Sequence, residues 1–269
     1  MPVSGYKRYI NLFKNISNPQ EYLFKKSKRH KEVLKFITKP NRIVFTVPDS
    51  LYQVFKEIFM QDVYNIEELA NTLPKYPVII DIGANAGFFN FILLSKIKEA
   101  KIFSYEPLLA NIQYFNSVIE ENKSIKPFLS INQLAVTGKE KEYIELFMAD
   151  NTKSQVVASI FDNFAVENKS KIKVPCISLS KIINDNNLHT IDLLKIDCEG
   201  SEYDIIYNTP TQVLTKANHI ALEVHNIDDE TYNFTYLKQY LESLNYAISF
   251  SPINNFCFSV NAVLNRKDE

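Results

Sequence analysis

Residues able to do chemistry cluster in four short strings, each at the end of a β-like run. In the first, Asp81-Ile82-Gly83-Ala84-Asn85-Ala86-Gly87, two of the chain's five glycines lie close together. In an open α/β sheet a ligand binds beyond the carboxyl ends of the strands, and free N–H groups at the start of the following helix face it. We interpret Gly83 as the residue that lets the backbone turn sharply beside a ligand. We interpret Gly87 as the residue that lets the helix start close to the strand.

The spacing of this glycine loop differs from that of a dinucleotide-binding loop. The glycines follow G-x-x-x-G rather than G-x-G-x-x-G, and Asp81 stands at the strand end, where a carboxylate would repel a pyrophosphate. An acidic strand end suits a cationic ligand such as S-adenosylmethionine, which carries an ammonium and a sulfonium. In the second string, Glu106 follows 25 residues after Asp81, near the offset of about 20 residues at which an acid binds ribose hydroxyls. The two strings together predict a nucleoside site for that cofactor.

The third and fourth strings supply candidate catalytic side chains. Lys195, Asp197 and Glu199 alternate along one string, so their side chains share one side of an extended segment. Charges at the edge of a buried apolar strand are unfavourable unless they are paired or functional. We therefore interpret these residues as functional. In the alternative interpretation, Lys195 forms an ion pair with a carboxylate that only fixes the turn. The fourth string, Glu223-Val224-His225, ends the next strand. We predict that His225 is a catalytic residue. The alternative is that it has only a structural role, as a hydrogen-bonded histidine.

The elements that must position these strings alternate between strand and helix from residue 77 onward. This order is typical of a parallel sheet with crossover helices, so we predict an α/β fold. The predicted strands are 78–82, 101–105, 129–136, 191–196, 219–224, 246–250 and 256–264, and the predicted helices are 88–97, 108–120 and a late one at 234–244. Short β-like runs at 143–148, 156–161 and 172–177 predict an insertion over one end of the sheet.

Residues 1–70 are predicted to form a basic, mostly helical cap before a cofactor-binding domain at 71–269. Apolar spacing predicts cap helices at 6–16, 20–38 and 50–59, with a strand at 42–47. Residues 1–42 carry 11 Lys/Arg and 2 Asp/Glu, whereas the rest of the chain carries 19 and 29. The dense basic stretch at 25–31 is either a solvated helix face or a contact for an anionic partner. Such a partner would be a phospholipid surface, a phosphorylated substrate or, less favoured, nucleic acid.

The composition excludes several classes of protein. A hydrophobic share of 46% and a charged share of 23% are ordinary for a globular protein and exclude a disordered chain, a collagen-like fibre and a coiled coil. No apolar run reaches the roughly 18–20 residues that span a bilayer, and the N-terminus has no signal-peptide core, so we expect a cytoplasmic protein. Three cysteines are too few and too scattered to predict a disulfide framework or a zinc site.

Three strings also carry a family resemblance: residues 78–89, Tyr105-Glu106-Pro107 with Asn111, and residues 191–202. Together they resemble the FkbM family of S-adenosylmethionine-dependent methyltransferases. Residues 49–64 and 223–225 are also similar to that family. The resemblance implies a class I methyltransferase sheet with an antiparallel last strand, and O-methylation of a hydroxyl on a sugar or secondary metabolite. The candidate cofactor-binding residues are Asp81, Gly83, Asn85, Gly87, Glu106, Pro107, Asn111 and Ala135.

Methyl transfer to an aliphatic hydroxyl needs a base, because the hydroxyl is a poor nucleophile until its proton leaves. We predict His225 as the base and Asp197 as the residue that positions the cofactor. The alternative is a divalent metal that acidifies the hydroxyl, held by Asp197, Glu199 and Glu223; we favour the route without metal. We expect the acceptor to be a small molecule or glycan, and the sequence allows it to be anionic. The sequence also allows the protein to form a homo-oligomer. Two rival functions are a non-catalytic nucleotide-binding module and a nicotinamide-dependent oxidoreductase.

Overall fold

The N-terminal unit combines short helices with a small sheet. The structure, a computed structural model, describes residues 3–25, 32–149, 158–159 and 168–266, so the basic stretch at 26–31 lies outside the described residues. The unit runs through α1 (Lys7–Asn15), α2 (Gln20–Lys25), β1 (Leu34–Ile37), β2 (Val44–Val47), a 3₁₀ turn (Asp49–Leu51), α3 (Tyr52–Phe55), a π-helical turn (Lys56–Gln61) and α4 (Ile66–Thr72).

The predicted helix at 20–38 is wrong over its last residues. Leu34–Ile37 form β1, which pairs antiparallel with β2. Side chains along β1 alternate between buried and less buried positions, which is the period of two that a strand requires. Phe36 pairs with Phe45 in this register and stacks on Phe55 with ring centroids 4.3 Å apart. Burial of these rings outweighs the local helical spacing of the apolar residues.

The main domain alternates strands and helices, as the sequence predicts. Its elements are β3 (Val78–Ile82), α5 (Phe88–Lys96), β4 (Lys101–Tyr105), α6 (Leu109–Glu121), a 3₁₀ turn (Lys126–Phe128), β5 (Leu129–Asn132), β6 (Ala135–Thr137), β7 (Tyr143–Ala149), β8 (Ala158–Ser159), β9 (Asn168–Ser178), α7 (Leu179–Asp185), β10 (Leu193–Ile196), α8 (Glu202–Asn208), α9 (Thr211–Leu214), β11 (His219–His225), α10 (Phe234–Ser243), β12 (Tyr246–Pro252) and β13 (Cys257–Leu264).

Seven of these strands form the central sheet, in the order β12-β13-β11-β10-β3-β4-β5. The strands from β11 to β5 are parallel, whereas β13 is antiparallel to both of its neighbours. This arrangement confirms the predicted α/β class and the antiparallel last strand. Because parallel strands end at the same edge of a sheet, the ends of β3, β4, β10 and β11 bring the four chemical strings together.

The predicted strand at 129–136 is wrong as one element, because the chain leaves the central sheet within it. β5 ends at Asn132, whose carbonyl accepts a hydrogen bond from the Glu106 N–H, and β6 then pairs with β9 in a second sheet ordered β6-β9-β7-β8. β7 and β9 confirm two of the predicted β-like runs in the insertion. Of the third run, at 156–161, only β8 lies within the described residues.

One hydrophobic cluster joins the N-terminal unit to the central sheet. It includes Leu12, Phe36 and Phe55 from the unit together with Ile79 and Phe91 from the main domain. The N-terminal unit therefore packs against the strands that carry the chemical strings.

In the part of the chain that the structure describes, no helix is long and apolar enough to cross a membrane.

Candidate active site

A cavity of about 230 Å³ lies at the carboxyl ends of β3, β4, β10 and β11. Its wall is completed by the second sheet and by the N-terminal unit. The predicted residues that line it are Gly83, Asn85, Glu106, Pro107, Asn111, Ala135, Asp197, Glu199 and Glu223.

The glycine loop contains two positive-φ glycines, of which Gly83 lines the cavity and Gly87, predicted as a cofactor-binding residue, does not. Gly83, at φ +73, donates its N–H to the Tyr105 carbonyl at 3.0 Å, and a Cβ there would overlap the Asp197 carbonyl oxygen. Gly87, at φ +81, lies against Phe115, whose ring a Cβ would overlap. Glycine is therefore required at both positions by contacts within the protein: Gly83 against the end of β10, and Gly87 against α6.

Glu106 holds the loop and the start of α6 with one buried carboxylate. Its Oε2 accepts the Asn85 N–H at 3.0 Å, and its Oε1 accepts the Leu108 N–H at 2.9 Å and the Asn111 amide at 3.1 Å. Burial raises the pKa of Glu106, and these hydrogen bonds act against that rise. Asn85 itself adopts a positive φ of 49°, so its backbone N–H points at the carboxylate. Glu106 is thus fixed at the cavity wall.

Asp81 and Lys195 lie beneath the glycine loop and do not line the cavity. Asp81 is fully buried, accepts a hydrogen bond from Asn90 at 2.7 Å and lies 3.2 Å from the Lys195 ammonium. Lys195 also donates to the Gly83 carbonyl at 2.7 Å. Burial acts to lower the pKa of Lys195, but the carboxylates of Asp81 and Asp197 outweigh it and raise that pKa. The ion pair of Asp81 with protonated Lys195 therefore stabilises the glycine loop through contacts outside the cavity.

Tyr64 is a site residue that our reading of the sequence missed. Its hydroxyl donates to Asp197 Oδ2 at 2.6 Å, and Lys195 Nζ lies 3.5 Å from the same oxygen. Asp62 and Asn65, both at positive φ, turn the chain on either side of Tyr64 after the π-helical turn; these residue types tolerate that conformation. The signal in the sequence is the family resemblance of residues 49–64, which gives the tyrosine no role by itself.

His225 lies within a group of carboxylates. Its Nδ1 lies 3.2 Å from Glu202 Oε1, and its Nε2 lies 3.4 Å from Glu199 Oε2 and 3.6 Å from Glu223 Oε1. Burial acts to lower the pKa of His225, but hydrogen bonds to Cys257, Glu202 and Glu223 outweigh it and raise that pKa. Burial raises the pKa of Glu199 to about 8. Glu199 and Glu223 line the cavity, whereas His225 is behind them.

The ligand set proposed from the sequence for a divalent metal differs from the group that the structure assembles. Asp197, Glu199 and Glu223 all line the cavity. Within the described residues, however, the one group of three donor atoms that all lie within 4.8 Å of one another belongs to Glu223, His225 and Cys257. The sequence did not suggest Cys257, because it lies 32 residues beyond His225 and meets it only through strand pairing.

Three known proteins are similar to this chain over 65–79% of its length. AMB antimetabolite synthetase AmbE of Pseudomonas aeruginosa is 26% identical over 204 residues, which are 65% of this chain but only 10% of that protein. Methyltransferase sdnD of Sordaria araneosa is 27% identical over 221 residues, covering 71% of this chain and 78% of that one. The solved structure of a methyltransferase FkbM from Methylobacillus flagellatus has a TM-score of 0.48 and 16% identity, covering 79% of this chain and 53% of that one.

The family model described as the methyltransferase FkbM domain matches residues 81–248, which is more than half of the chain. The matched region contains the glycine loop, Glu106, Asp197 and His225, and so includes all four chemical strings. The chain belongs to the FkbM methyltransferase family.

Proposed function

We propose that this protein transfers a methyl group from S-adenosylmethionine to a hydroxyl oxygen of a small molecule or glycan. The observation that carries the proposal is the convergence of the glycine loop, Glu106 and Asp197 on one cavity. Family membership supports methyl transfer, and the chemistry of the cavity wall supports the donor and the kind of acceptor.

The Glu106 side of the cavity fits an adenosine. An ionised carboxylate has about four lone-pair sites, and three hydrogen bonds within the protein leave acceptor capacity for a ribose hydroxyl. Beside Glu106 the wall is apolar, as an adenine ring requires, with Pro107, Leu108, Leu134, Ala135 and Val136.

The opposite side of the cavity is acidic. Among the described residues that line it, Glu57, Asp197, Glu199 and Glu223 carry carboxyl groups, and there is no Lys, Arg or His. Such a wall fits the cationic end of S-adenosylmethionine, which supplies an electrophilic methyl group when bound. Glu199, whose pKa is raised to about 8, is protonated near neutral pH. The other carboxyl groups of this wall favour a neutral or cationic acceptor over an anionic one, because an anion would be repelled.

The general base in this proposal is Asp197 rather than His225. Both ring nitrogens of His225 lie against carboxylates, so the imidazole has no path to the cavity except past Glu199 and Glu223. Asp197 lines the cavity, and the Tyr64 hydroxyl orients its carboxylate. As the acceptor oxygen becomes nucleophilic, its proton passes to Asp197.

Calorimetry with S-adenosylhomocysteine and steady-state kinetics separate the two sides of the site. Glu106→Ala should weaken binding by about 1–3 kcal/mol, because the acceptor for the ribose is lost. Asp197→Asn should lower kcat by about 10²–10⁴-fold and weaken binding less than Glu106→Ala does, because the other carboxyl groups of the acidic wall remain. Glu140→Gln, at an exposed position outside the cavity, is the control for loss of a carboxylate.

The acceptor atom is identified from the product. The protein is incubated with S-adenosylmethionine and a panel of hydroxylated sugars and metabolites, and products are analysed by mass spectrometry and by the methyl carbon chemical shift. A methyl ether supports the proposal. Methylation only at nitrogen or carbon would contradict the proposed O-methylation. Equal affinity for NAD and S-adenosylmethionine would contradict the proposed cofactor.

A further inference from the structure

We propose that Glu223, His225 and Cys257 form a binding site for a divalent transition-metal ion such as Zn²⁺. The site lies at the ends of β11 and β13, next to the proposed methyl-transfer cavity and separate from the nucleoside site. It does not depend on the identity of the acceptor.

Strand geometry places the three side chains on one face. Glu223 and His225 are two residues apart on β11, so they point to the same side of the sheet. β13 runs antiparallel to β11, and Cys257 is the direct partner of His225 in that register. Directly opposed residues have Cβ atoms only about 4.5–5.5 Å apart. Two neighbouring strands thus bring together three ligand types that are far apart in sequence.

The distances between donor atoms suit a small tetrahedral ion. Cys257 Sγ and His225 Nε2 lie 3.2 and 3.6 Å from Glu223 Oε1. All three donor atoms lie within 4.8 Å of one another. A tetrahedral Zn²⁺ with ligand bonds of about 2.0–2.3 Å separates its ligands by roughly 3.3–3.7 Å. One ion can therefore contact all three donor atoms after small side-chain adjustments.

Glu202 orients the histidine as a carboxylate behind a metal ligand does. Its Oε1 lies 3.2 Å from His225 Nδ1 and accepts the His225 backbone N–H at 3.0 Å, while its Oε2 accepts the Gly200 N–H at 2.7 Å. Glu202 is fully buried at the start of α8, so its position is fixed. This contact directs Nε2 towards Glu199 and Glu223, and Glu223 in turn accepts from Cys257 Sγ. Carboxylate–histidine pairs of this kind hold the ring and its tautomer in metal sites.

The donor set selects the class of metal. A thiolate and an imidazole favour Zn²⁺, Co²⁺ or Fe²⁺ over Mg²⁺ and Ca²⁺, which prefer oxygen ligands. Binding replaces the thiol proton of Cys257 and any proton on His225 Nε2, and both protons leave to solvent. Three protein ligands leave a fourth position for water or a further ligand. Glu199, whose Oε2 lies 3.4 Å from His225 Nε2, lines the cavity together with Glu223.

Cobalt titration of the full-length, chelator-treated protein tests the site. We expect one Co²⁺ per chain, with a thiolate-to-cobalt charge-transfer band and the visible bands of tetrahedral cobalt, and Zn²⁺ should displace it. Cys257→Ser should abolish the charge-transfer band. Cys176→Ser, on β9 away from the site, is the matched control and should retain it. Glu202→Gln should weaken Co²⁺ binding by about 10–100-fold, as loss of a supporting carboxylate does.

X-ray absorption of the wild-type protein with one equivalent of Zn²⁺ keeps the proposal testable if a variant does not fold. One sulfur and the remaining nitrogen and oxygen scatterers support the site. A first shell without sulfur, absence of stoichiometric binding, or an unchanged cobalt spectrum in folded Cys257→Ser would each overturn it.

Discussion

Gly83 occupies a position that only glycine can hold. Its φ of +73° is in the left-handed region, and a side chain would overlap the carbonyl of Asp197. The loop cannot move away from that carbonyl without losing the 3.0 Å hydrogen bonds from Gly83 and Ala84 to the Tyr105 carbonyl. Gly83 therefore ties the ends of β3, β4 and β10 together at the cavity.

Gly83→Ala should destabilise the protein more than Gly5→Ala does. Gly5 is a matched control, because it also has a positive φ of 61° but has nothing within 4 Å of an added Cβ. The left-handed conformation costs Ala about 1–3 kcal/mol at either position, and the overlap at Gly83 should add about 1–3 kcal/mol. Urea unfolding measures both free energies of unfolding. Equal losses in the free energy of unfolding would contradict this prediction, because they would show that the backbone at the end of β10 shifts at no cost to make room for the Cβ.

At the scale of the secondary-structure elements, the pairing of β11 with β13 determines which polar side chains of the two strands meet. It sets Cys257 against His225 at one end of the strands, and near the other end His219 Nε2 lies 3.0 Å from Asn261 Oδ1. Burial lowers the pKa of His219, and the hydrogen bond to Asn261 acts against that shift. The folded protein therefore favours neutral His219.

His219 contributes a loss of stability as the pH drops below the ordinary histidine pKa of about 6.5, because the unfolded chain then binds a proton that folded His219 resists. Glu199, whose pKa is raised to about 8, contributes with the opposite sign, because its folded form holds a proton that the unfolded chain releases. Denaturant unfolding at several pH values between about 5 and 7 measures this slope. His219→Gln removes the titrating group, so the stability of this variant relative to the wild type should rise as the pH falls from about 7 to about 5. His189→Gln, at an exposed position, is the control and should keep the wild-type slope. Identical slopes in all three proteins would contradict the role of His219.

At the scale of the whole molecule, the N-terminal unit and the main domain share a core and a cavity. Phe45 of the unit packs on Phe88 of the main domain with ring centroids 5.4 Å apart. Val54, Ile58 and Tyr64 of the unit line the same cavity as the glycine loop. The division into 1–70 and 71–269 stays a prediction, but a ligand in the cavity would touch both parts.

S-adenosylhomocysteine should therefore raise the melting temperature of the whole chain in one transition. At 100 times its dissociation constant, a ligand stabilises the folded state by about 2.7 kcal/mol, which corresponds to roughly 5–10 °C for a protein of this size. Calorimetric scans with and without ligand measure the shift. A separate transition that the ligand leaves unmoved would contradict coupling between the two parts.

The sequence by itself determined the alternating order of strands and helices, the class of the sheet and the strings at its edge. These features are local: a continuous apolar run such as Val78–Ile82 predicts a buried strand, and glycine at 83 and 87 predicts a tight turn. The prediction from local spacing of apolar residues was wrong at Leu34–Ile37. These residues form a strand paired with β2 rather than the predicted helix, because that pairing buries their apolar side chains.

Only the tertiary structure decided which side chains meet. Asp81 pairs with Lys195, and Tyr64 binds Asp197 across 133 positions of sequence. His225 meets Cys257 through strand register. Such contacts depend on sheet order and register, which local patterns of residues do not encode. For that reason the sequence predicted the edge of the sheet that carries the chemistry, while the structure decided that Asp197 and Glu199, rather than His225, face the cavity.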